Sequence, residues 1–280
     1  HADGSIDWEA HERLVRWHVE SGTAGVVPMG TTGESATLNT HEHLEVISRT
    51  IEVANGRISV VAGTGSNSTE ETLHQTKEAE SLGADACLLV TPYYNRPTQE
   101  GLYAHFKKVA ETTSVPLVLY NVPGRTGCDL LPETIGRLSS IEGIVGIKEA
   151  SGKIERVSEI RSVSASDFFI LSGEDALTLE MMNNGAVGTI SVTANVLPKA
   201  MAEFCDSFLS GNIKRASAID EVLQSVHEIL FIESNPTPAK WALHQMGIIH
   251  EGIRMPLLPL SSRYRSELKK RIDEAMEALK

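Results

Sequence analysis

The feature that most constrains this chain is a repeat of short apolar runs, each followed by turn residues and then by a longer helical stretch. Seven runs are rich in Val, Ile and Leu and do not alternate with polar residues: Ala24–Pro28, Ile58–Ala62, Ala86–Val90, Pro116–Tyr120, Ile144–Lys148, Phe168–Leu171 and Ala186–Ser191. Such runs indicate strands of a sheet that helices cover. Stretches with helical periodicity lie between them: Glu42–Ala54, Thr69–Leu82, Gln99–Thr112 and Ile154–Ser164. This alternation predicts βαβ units and a parallel sheet, either doubly wound or closed into a barrel.

The two ends of the chain refine this prediction. Residues Trp8–Ser21 have the pattern of a helix that precedes the first strand. In a (β/α)8 barrel a helix follows a strand, so the barrel interpretation predicts one further strand just before His1. The region after Val196 has a helical pattern with breaks at Pro198, Gly211, Pro236 and Pro259. We therefore expect a (β/α)8 TIM barrel over residues 1–195, without its N-terminal strand, and a C-terminal helical region over residues 196–280.

Composition excludes several classes of protein. The 280 residues include 25 Lys and Arg against 37 Asp and Glu, which gives a formal net charge of −12. An acidic chain is a poor partner for nucleic acid, and no run approaches the roughly 18 apolar residues that a membrane span needs. The three cysteines, Cys87, Cys128 and Cys205, are far apart and form no CxxC motif. We expect no disulfide framework and no zinc site, and a cytoplasmic location.

Hydroxyls, glycines and charges collect directly after six of the apolar runs. The segments are Gly30–Glu34, Gly63–Asn67, Thr91–Pro97, Tyr120–Thr126, Gly146–Ser151 and Ser172–Asp175. Loops at the carboxyl ends of parallel strands build the active sites of barrel enzymes. The pattern therefore predicts an enzyme rather than a structural protein.

Lys148 is the main candidate for a catalytic residue. It ends the run Ile144–Lys148, so its amine is expected near the mouth of the barrel, where loss of hydration favours the uncharged form. An uncharged amine attacks a ketone and forms a Schiff base, which serves as an electron sink for carbanion chemistry. The sequence leaves open the alternative that Lys148 simply pairs with Glu149.

Two further side chains have both a chemical and a structural interpretation. The phenol of Tyr120 can move protons, but it is also compatible with an aromatic side chain that only lines the barrel. Arg125, in a Pro-Gly turn, can bind a carboxylate with two hydrogen bonds or remain solvated.

Gly30–Glu34 lacks the spacing of a phosphate-binding loop and better suits a small carboxylate or a proton relay. The pair His41 and His43 is spaced i, i+2, which makes the rings diverge, so no metal site is expected.

Four motifs carry a resemblance to a known family. They are GTTGESATLN at Gly30–Asn39, TPYYNRP at Thr91–Pro97, YNVPGRTG at Tyr120–Gly127 and GIKEASG at Gly146–Gly152. Together they make the chain resemble the dihydrodipicolinate synthase family of pyruvate-dependent class I aldolases from about Gly22 onward. The pair Thr31-Thr32, together with Tyr94 and Arg125, favours this family over sialic acid (N-acetylneuraminate) lyases and 2-keto-3-deoxy sugar acid aldolases.

The resemblance implies a reaction and a role for each site residue. Lys148 would form a Schiff base with pyruvate, so no separate cofactor is implied, and Tyr120 would donate and accept protons. The other implied residues are Thr31 and Tyr94 in a proton relay, Thr32, Ile190 and Gly173 at the pyruvate, and Arg125 at the carboxylate of aspartate semialdehyde. The implied product is 4-hydroxy-tetrahydrodipicolinate, formed in the first committed step of diaminopimelate and lysine biosynthesis. A catalytically inactive barrel that acts as a binding protein is the alternative from a different class.

The resemblance also implies assembly and regulation. Tyr94 would reach in from the neighbouring subunit of a tight dimer, and the dimers would pair into a homotetramer. An L-lysine inhibitor would bind at the dimer interface, at positions that correspond to Ser35, Ala36, His43, Asn67, Glu71 and Tyr93. The carboxylate of Glu71 and the amide of Asn67 suit the ammonium and carboxylate of an amino acid. Thr40 replaces a histidine of the lysine-sensitive pattern.

Overall fold

The computed structural model describes residues 1–280 and contains a six-stranded parallel sheet. The strands are β1 (Gly25–Val26), β2 (Ser59–Gly63), β3 (Ala86–Val90), β4 (Leu117–Asn121), β5 (Ile144–Glu149) and β6 (Phe169–Ser172). Each strand pairs in parallel with the next along the chain. The prediction of a parallel α/β sheet is therefore confirmed.

Helices connect successive strands and form the C-terminal region. The helices are α1 (Trp8–Glu20), α2 (Thr40–Ala54), α3 (Thr69–Leu82), α4 (Gln99–Ala110), α5 (Pro123–Thr126), α6 (Pro132–Leu138), α7 (Glu155–Val163), α8 (Thr178–Asn183), α9 (Pro198–Leu209), α10 (Ile213–Ile229), α11 (Thr237–Gln245) and α12 (Ser262–Ala278). In the C-terminal region, α10 packs against both α9 and α12. None of the helices combines the length and the apolar character that crossing a bilayer requires.

The seventh apolar run, Ala186–Ser191, does not form a regular strand. A single isolated parallel bridge joins Ser172 at the end of β6 to Thr189. Gly188 has a φ of +154°, which interrupts the regular pleat, and the carboxylate of Asp175 accepts hydrogen bonds from two amides just beyond the run. The run still lies beside β6: the Val187 and Ile190 amides donate to the Ile170 and Ser172 carbonyls, and the Ser172 amide donates to the Gly188 carbonyl. The predicted strand is therefore present as an irregular segment rather than as a regular strand.

The starts of α2 and α3 follow from their capping residues. Asn39 caps α2, and its side chain and that of Glu42 each accept a hydrogen bond from the other residue's amide. Ser68 caps α3, where its hydroxyl accepts a hydrogen bond from the Glu71 amide. The second hydrogen bond of the α2 cap, from the capping residue's amide to a glutamate side chain, has no counterpart in α3. These bonds satisfy amides that have no partner within the helix, which is why each helix starts at that residue.

The sheet separates two apolar layers. Leu89, Leu117 and Ile147 face the helices in the main core, whereas Val118 and Tyr120 belong to a smaller cluster on the other face. Alternate residues of a strand point to opposite faces, so both faces of the sheet are packed. The carboxyl end of the second face is where the candidate residues meet.

Candidate active site

Lys148 and Tyr120 lie side by side at the carboxyl ends of neighbouring strands. They are register partners in the β4–β5 pair, and the Nζ atom of Lys148 is 4.3 Å from the centroid of the Tyr120 ring. Tyr120 is 8% exposed, while Lys148 is half-buried and therefore accessible. The arrangement places an amine and a phenol at one opening, as the sequence predicted for Lys148.

The ion pair between Lys148 and Glu149 that the sequence left open is not formed. Neighbouring residues of a strand point to opposite faces, so the Glu149 side chain lies on the helix side of the sheet. There it is 1% exposed and accepts hydrogen bonds from Asn121 Nδ2 at 3.1 Å and from the Ser151 amide at 2.6 Å. Burial raises the pKa of Glu149 above its ordinary value, although these hydrogen bonds oppose the rise. Lys148 is left without a carboxylate partner on its own face.

Gly173 gives the Lys148 side chain the space it occupies. A Cβ atom at Gly173 would lie 2.7 Å from the Ala150 Cβ and 3.0 Å from the Lys148 Cε. Both distances are too short for carbon atoms in van der Waals contact. The backbone amide of Gly173 donates to the Glu149 carbonyl at 2.8 Å, which fixes this close approach.

The loop after β1 presents two half-buried threonines. The amide of Glu34 donates to the Thr31 carbonyl at 3.1 Å, and Glu34 has a φ of +56°. The Glu34 carboxylate binds the Lys240 ammonium and accepts a hydrogen bond from the Arg254 amide at 2.8 Å. These contacts anchor the loop and hold Thr31 and Thr32 in a fixed turn.

Asn235 lies between Thr32 and the Arg125 turn. Its Nδ2 atom donates to the Thr32 hydroxyl at 3.0 Å, and its carbonyl accepts from Arg125 Nη2 at 3.4 Å. Arg125 lies on the short helix α5 and is exposed. The loops after β1 and β4 are thus connected through one residue of the C-terminal region.

Tyr94 lies beside the Arg125 turn and points into solvent within this chain. It is 89% exposed, has a φ of +72°, and its amide donates to the Thr126 carbonyl at 3.2 Å. No hydrogen bond within the chain connects the side chains of Tyr94, Tyr120 and Thr31. Within one chain, the three side chains of the implied relay are therefore not hydrogen-bonded to one another.

Ile190 lies on the same face of the sheet as Tyr120. Its side chain packs against the cluster that contains Tyr120, and its amide donates to the Ser172 carbonyl at 2.9 Å. With Gly173 it places backbone groups near the opening that contains Lys148.

The residues of the implied lysine site lie in the segments that follow β1, β2 and β3, with His43 on α2 and Glu71 on α3. His43 is buried, with its Nε2 atom 2.7 Å from the Gly63 carbonyl, and burial lowers its pKa. The Glu71 carboxylate accepts from the Ser66 hydroxyl at 2.5 Å, and the Asn67 carbonyl accepts from Asn95. Three further members differ in exposure: Ser35 is half-buried, and Ala36 and Tyr93 are exposed.

A buried polar network behind the site joins the ends of β4 and β5. Arg156 donates to both carboxylate oxygens of Asp129 at 2.9 Å, and Asn121 Nδ2 bonds to Asp129 at 2.8 Å as well as to Glu149. Burial opposes ionisation of Asp129, but the hydrogen bonds of Arg156 and Asn121 outweigh it and lower the pKa. Asn121, Asp129 and Arg156 were not predicted as site residues from the sequence.

Candidate metal ligands do not gather at this opening. His43 is used in its bond to Gly63, and His41 is exposed beside Glu45. Elsewhere, the side chains of His1, Asp7 and His250 come close together at the surface.

The chain is similar over nearly its whole length to proteins of one family. The family model described as the Dihydrodipicolinate synthetase family matches residues 1–275. A protein named 4-hydroxy-tetrahydrodipicolinate synthase from Stutzerimonas stutzeri (strain A1501) is 53% identical over 268 residues, which cover 96% of this chain and 92% of the relative.

Two solved structures share the fold over nearly the whole chain. The chloride-inhibited dihydrodipicolinate synthase from Acinetobacter baumannii, complexed with pyruvate, has a TM-score of 0.97 and 50% identity, covering 99% of this chain and 95% of that chain. The enzyme from Cyanidioschyzon merolae with lysine bound has a TM-score of 0.94 and 36% identity, covering 98% and 93%. Because the family model matches residues 1–275 and a relative is 53% identical over 96% of the chain, the chain belongs to the Dihydrodipicolinate synthetase family.

Proposed function

We propose that this chain condenses pyruvate with L-aspartate 4-semialdehyde to give 4-hydroxy-tetrahydrodipicolinate, in diaminopimelate and lysine biosynthesis. The observation that carries the proposal is the pairing of the Lys148 amine with the Tyr120 ring at 4.3 Å, at the carboxyl end of the sheet. The relatives of the same name and the pyruvate complex of the Acinetobacter baumannii enzyme support it.

The reaction begins on the Lys148 amine. Its nitrogen attacks the ketone carbon of pyruvate, water leaves, and an imine joins Lys148 to the substrate. Loss of a methyl proton gives an enamine, whose carbon attacks the aldehyde of the second substrate. The amino group of that substrate then attacks the imine carbon and closes a six-membered ring, which releases Lys148 as the free amine. The chain supplies the amine itself, so the reaction needs no added cofactor.

Tyr120 serves each step that moves a proton. The ketone oxygen must gain protons to leave as water, and the methyl carbon must lose one, so the same group has to donate and accept. The distance of 4.3 Å between Nζ and the centroid of the Tyr120 ring supports this role. Thr31 completes the relay in this proposal, together with Tyr94 of a neighbouring copy.

The two substrate carboxylates have separate binding groups in this proposal. Thr32 binds the carboxylate of pyruvate, aided by backbone groups of Gly173 and Ile190. Arg125, exposed beside the opening, binds the carboxylate of the semialdehyde with its planar donors.

Borohydride reduction tests the covalent step. Incubation with pyruvate and borohydride should add one reduced pyruvate to the Lys148 peptide, as read by mass spectrometry, and Lys148→Ala should abolish this addition. Labelling of another lysine, or full activity of Lys148→Ala, would contradict the proposal. Retention of pyruvate labelling without condensation would point to the alternative in which the barrel only binds.

The choice of aldehyde tests the second substrate. Aspartate semialdehyde should be consumed together with pyruvate, and N-acetylneuraminate and 2-keto-3-deoxy sugar acids should not be cleaved. The opposite result would place the chain among the sugar acid aldolases that share the Schiff-base chemistry.

The proposed assembly is a dimer in which Tyr94 of one copy completes the site of the other, with two dimers forming a tetramer. An aromatic side chain that is 89% exposed and sits on a backbone with a φ of +72° is well placed for such a contact. Mixing Tyr94→Phe chains with Lys148→Ala chains should restore part of the activity, because a mixed dimer contains one intact site. If mixing restores nothing, Tyr94 does not act across subunits.

The proposed regulation is inhibition by L-lysine at the set Ser35, Ala36, His43, Asn67, Glu71 and Tyr93. The lysine-bound relative from Cyanidioschyzon merolae supports an amino-acid site in this fold. Calorimetric titration with L-lysine should give binding that Glu71→Gln weakens, since the carboxylate is the group that matches an ammonium. Unchanged binding in Glu71→Gln would contradict this placement.

The proposed architecture is a (β/α)8 barrel over residues 1–195 with a helical region over residues 196–280, acting in the cytoplasm. The strand order and the TM-score of 0.97 to a family member support the barrel. Free thiols suit a reducing compartment, and burial raises the pKa of the buried Cys87 to about 11 and that of the half-buried Cys205 to about 12.

A further inference from the structure

Asn235 is a buried side chain that contacts the group proposed to bind pyruvate. It is 4% exposed and donates through Nδ2 to the Thr32 hydroxyl at 3.0 Å. We infer that Asn235 is a positioning residue that sets the direction in which the Thr32 hydroxyl donates, and thereby the affinity for the pyruvate carboxylate. This inference rests on the proposed function of the site.

The polarity of the Asn235–Thr32 hydrogen bond gives the inference its physical basis. A hydroxyl has one hydrogen to donate and two lone pairs that accept. Because Asn235 donates to the Thr32 oxygen, it occupies a lone pair and leaves the hydrogen free. A carboxylate only accepts hydrogen bonds, so a free hydrogen is what the substrate anion requires. Donation by Asn235 also polarises the hydroxyl and strengthens its own donation.

The surroundings of Asn235 argue against a role in packing alone. Its Oδ1 atom is buried without a hydrogen-bond partner, which is an unfavourable state for a polar atom. A leucine has a similar size and would avoid this cost. The amide is therefore explained by its donor, which is used on Thr32, rather than by its contribution to the core.

The segment that carries Asn235 is attached to the same loop at a second point. Lys240, on α11, binds the carboxylate of Glu34, two residues beyond Thr32. The Asn235 carbonyl also accepts from Arg125, the residue proposed to bind the second substrate. Asn235 is thus held relative to both carboxylate-binding groups, as a positioning residue must be.

Asn235→Asp is the decisive variant because it keeps the shape and reverses the hydrogen bond. The aspartate accepts from the Thr32 hydroxyl and turns its hydrogen away from the substrate, and it adds a negative charge near an anion. We expect KM for pyruvate to rise by roughly tenfold or more, with a much smaller change in kcat at saturating pyruvate. Asn235→Leu removes the donor without reversing the bond and should raise KM less. Asn55→Asp, on an exposed turn, adds the same charge as a control and should leave KM unchanged.

A double-mutant cycle with Thr32→Val shows whether Asn235 acts through the hydroxyl. Valine keeps the branched shape without the hydroxyl, so Asn235→Leu should have no further effect on KM for pyruvate in that background. An equal rise of KM in both backgrounds, or a wild-type KM in Asn235→Asp, would overturn the inference. Should Asn235→Asp fail to fold by circular dichroism, the Asn235→Leu cycle gives the same test.

The wild-type chain separates this inference from the proposed function. If the wild type neither labels Lys148 with pyruvate and borohydride nor forms product, the proposed function fails, and the inference that rests on it falls too. If the wild type does both and the Asn235 variants keep its KM for pyruvate, only the inference about Asn235 fails.

Discussion

At the scale of single residues, the candidate site depends on the absence of a side chain at Gly173 as well as on the side chains of Lys148 and Tyr120. Lys148 and Tyr120 supply an amine and a phenol, and a Cβ atom at position 173 would crowd Lys148 Cε at 3.0 Å and Ala150 Cβ at 2.7 Å. Position 173 favours glycine because neighbouring atoms lie close to it. Its backbone conformation imposes no such preference, since its φ is not in the left-handed region. Packing around Lys148 is therefore part of what positions its amine for the proposed reaction.

Gly173→Ala should impair catalysis at the step of imine formation. The added methyl group displaces the Lys148 side chain or the neighbouring backbone, and small displacements of reacting groups lower rates by roughly tenfold to a hundredfold. The measurement is the rate of pyruvate labelling by borohydride at fixed pyruvate, alongside kcat. Gly124→Ala, where nothing lies within 4 Å of the added Cβ, is the matched control and should label at the wild-type rate. Equal rates in both variants would contradict the steric argument.

Tyr120→Phe should lower kcat without removing pyruvate binding. The variant keeps the ring beside Nζ and removes only the phenol, so the loss isolates proton transfer. General acid–base groups contribute roughly a hundredfold to ten-thousandfold, and we expect kcat to fall by about that factor. Steady-state kinetics at saturating pyruvate gives the value. A fall of less than about threefold would show that another group moves the protons.

At the scale of elements, the ends of β4 and β5 are held together by charge as well as by backbone hydrogen bonds. Tyr120 and Lys148 are on one face of these strands, and the next residues, Asn121 and Glu149, enter the buried network on the other face. In each of the two strands, therefore, one residue lies at the candidate site and the next residue belongs to the polar network on the helix side of the sheet. Arg156 on α7 closes that network through Asp129.

Arg156→Leu should destabilise the chain much more than the same change at an exposed arginine. The Arg156 side chain is 5% exposed, and its removal leaves the partly buried Asp129 without its cation, at a cost on the order of 3 kcal/mol. Arg137→Leu breaks the pair with Glu100, whose side chains are 45% and 74% exposed, and should cost below about 1 kcal/mol. Urea unfolding measures both. Equal losses would show that burial of the Arg156 pair has no special effect.

At the scale of the whole molecule, buried histidines make folding sensitive to acid. Burial lowers the pKa of His18 and of His105 from 6.5 to about 4. His105 bonds Thr69 through Nδ1, and its Nε2 atom has no partner, so a proton there would be buried without an acceptor. Between these pH values the unfolded chain binds protons that the folded chain does not, and stability therefore falls as the pH is lowered from about 6.5 toward 4.

His105→Asn should flatten this pH dependence. Asparagine can still bond Thr69 but does not titrate, so the loss of unfolding free energy between pH 7 and pH 5 should shrink by on the order of 2 kcal/mol. Urea unfolding at the two pH values measures the difference, whatever the variant's stability at pH 7. His41→Asn, on an exposed side chain, should leave the difference as in the wild type. An unchanged difference in His105→Asn would show that this histidine is not a source of the acid sensitivity.

Much of the fold could be predicted because it rests on local patterns. The spacing of apolar residues predicted α2 to within two residues, and α3 begins and ends as expected at Thr69–Leu82. The run Ala186–Ser191 does lie beside β6 and hydrogen-bonds to it, but it is not the regular strand that was predicted, and Gly188 within it has a φ of +154°. Patterns of hydrophobicity describe burial, and they carry no information on the backbone conformation of a single glycine.

By itself, the sequence determined the alternation of strands and helices, the strand ends that carry Lys148 and Tyr120, the turns that carry Thr32 and Arg125, and the family. Those depend on neighbours along the chain and on contiguous motifs. Only the tertiary structure decided the partners of these residues. The contacts of Asn235 with Thr32 and of Lys240 and Arg254 with Glu34 join residues 203, 206 and 220 positions apart. Such pairs leave no local pattern, because the folding of the whole chain, not the spacing of its residues, brings them together.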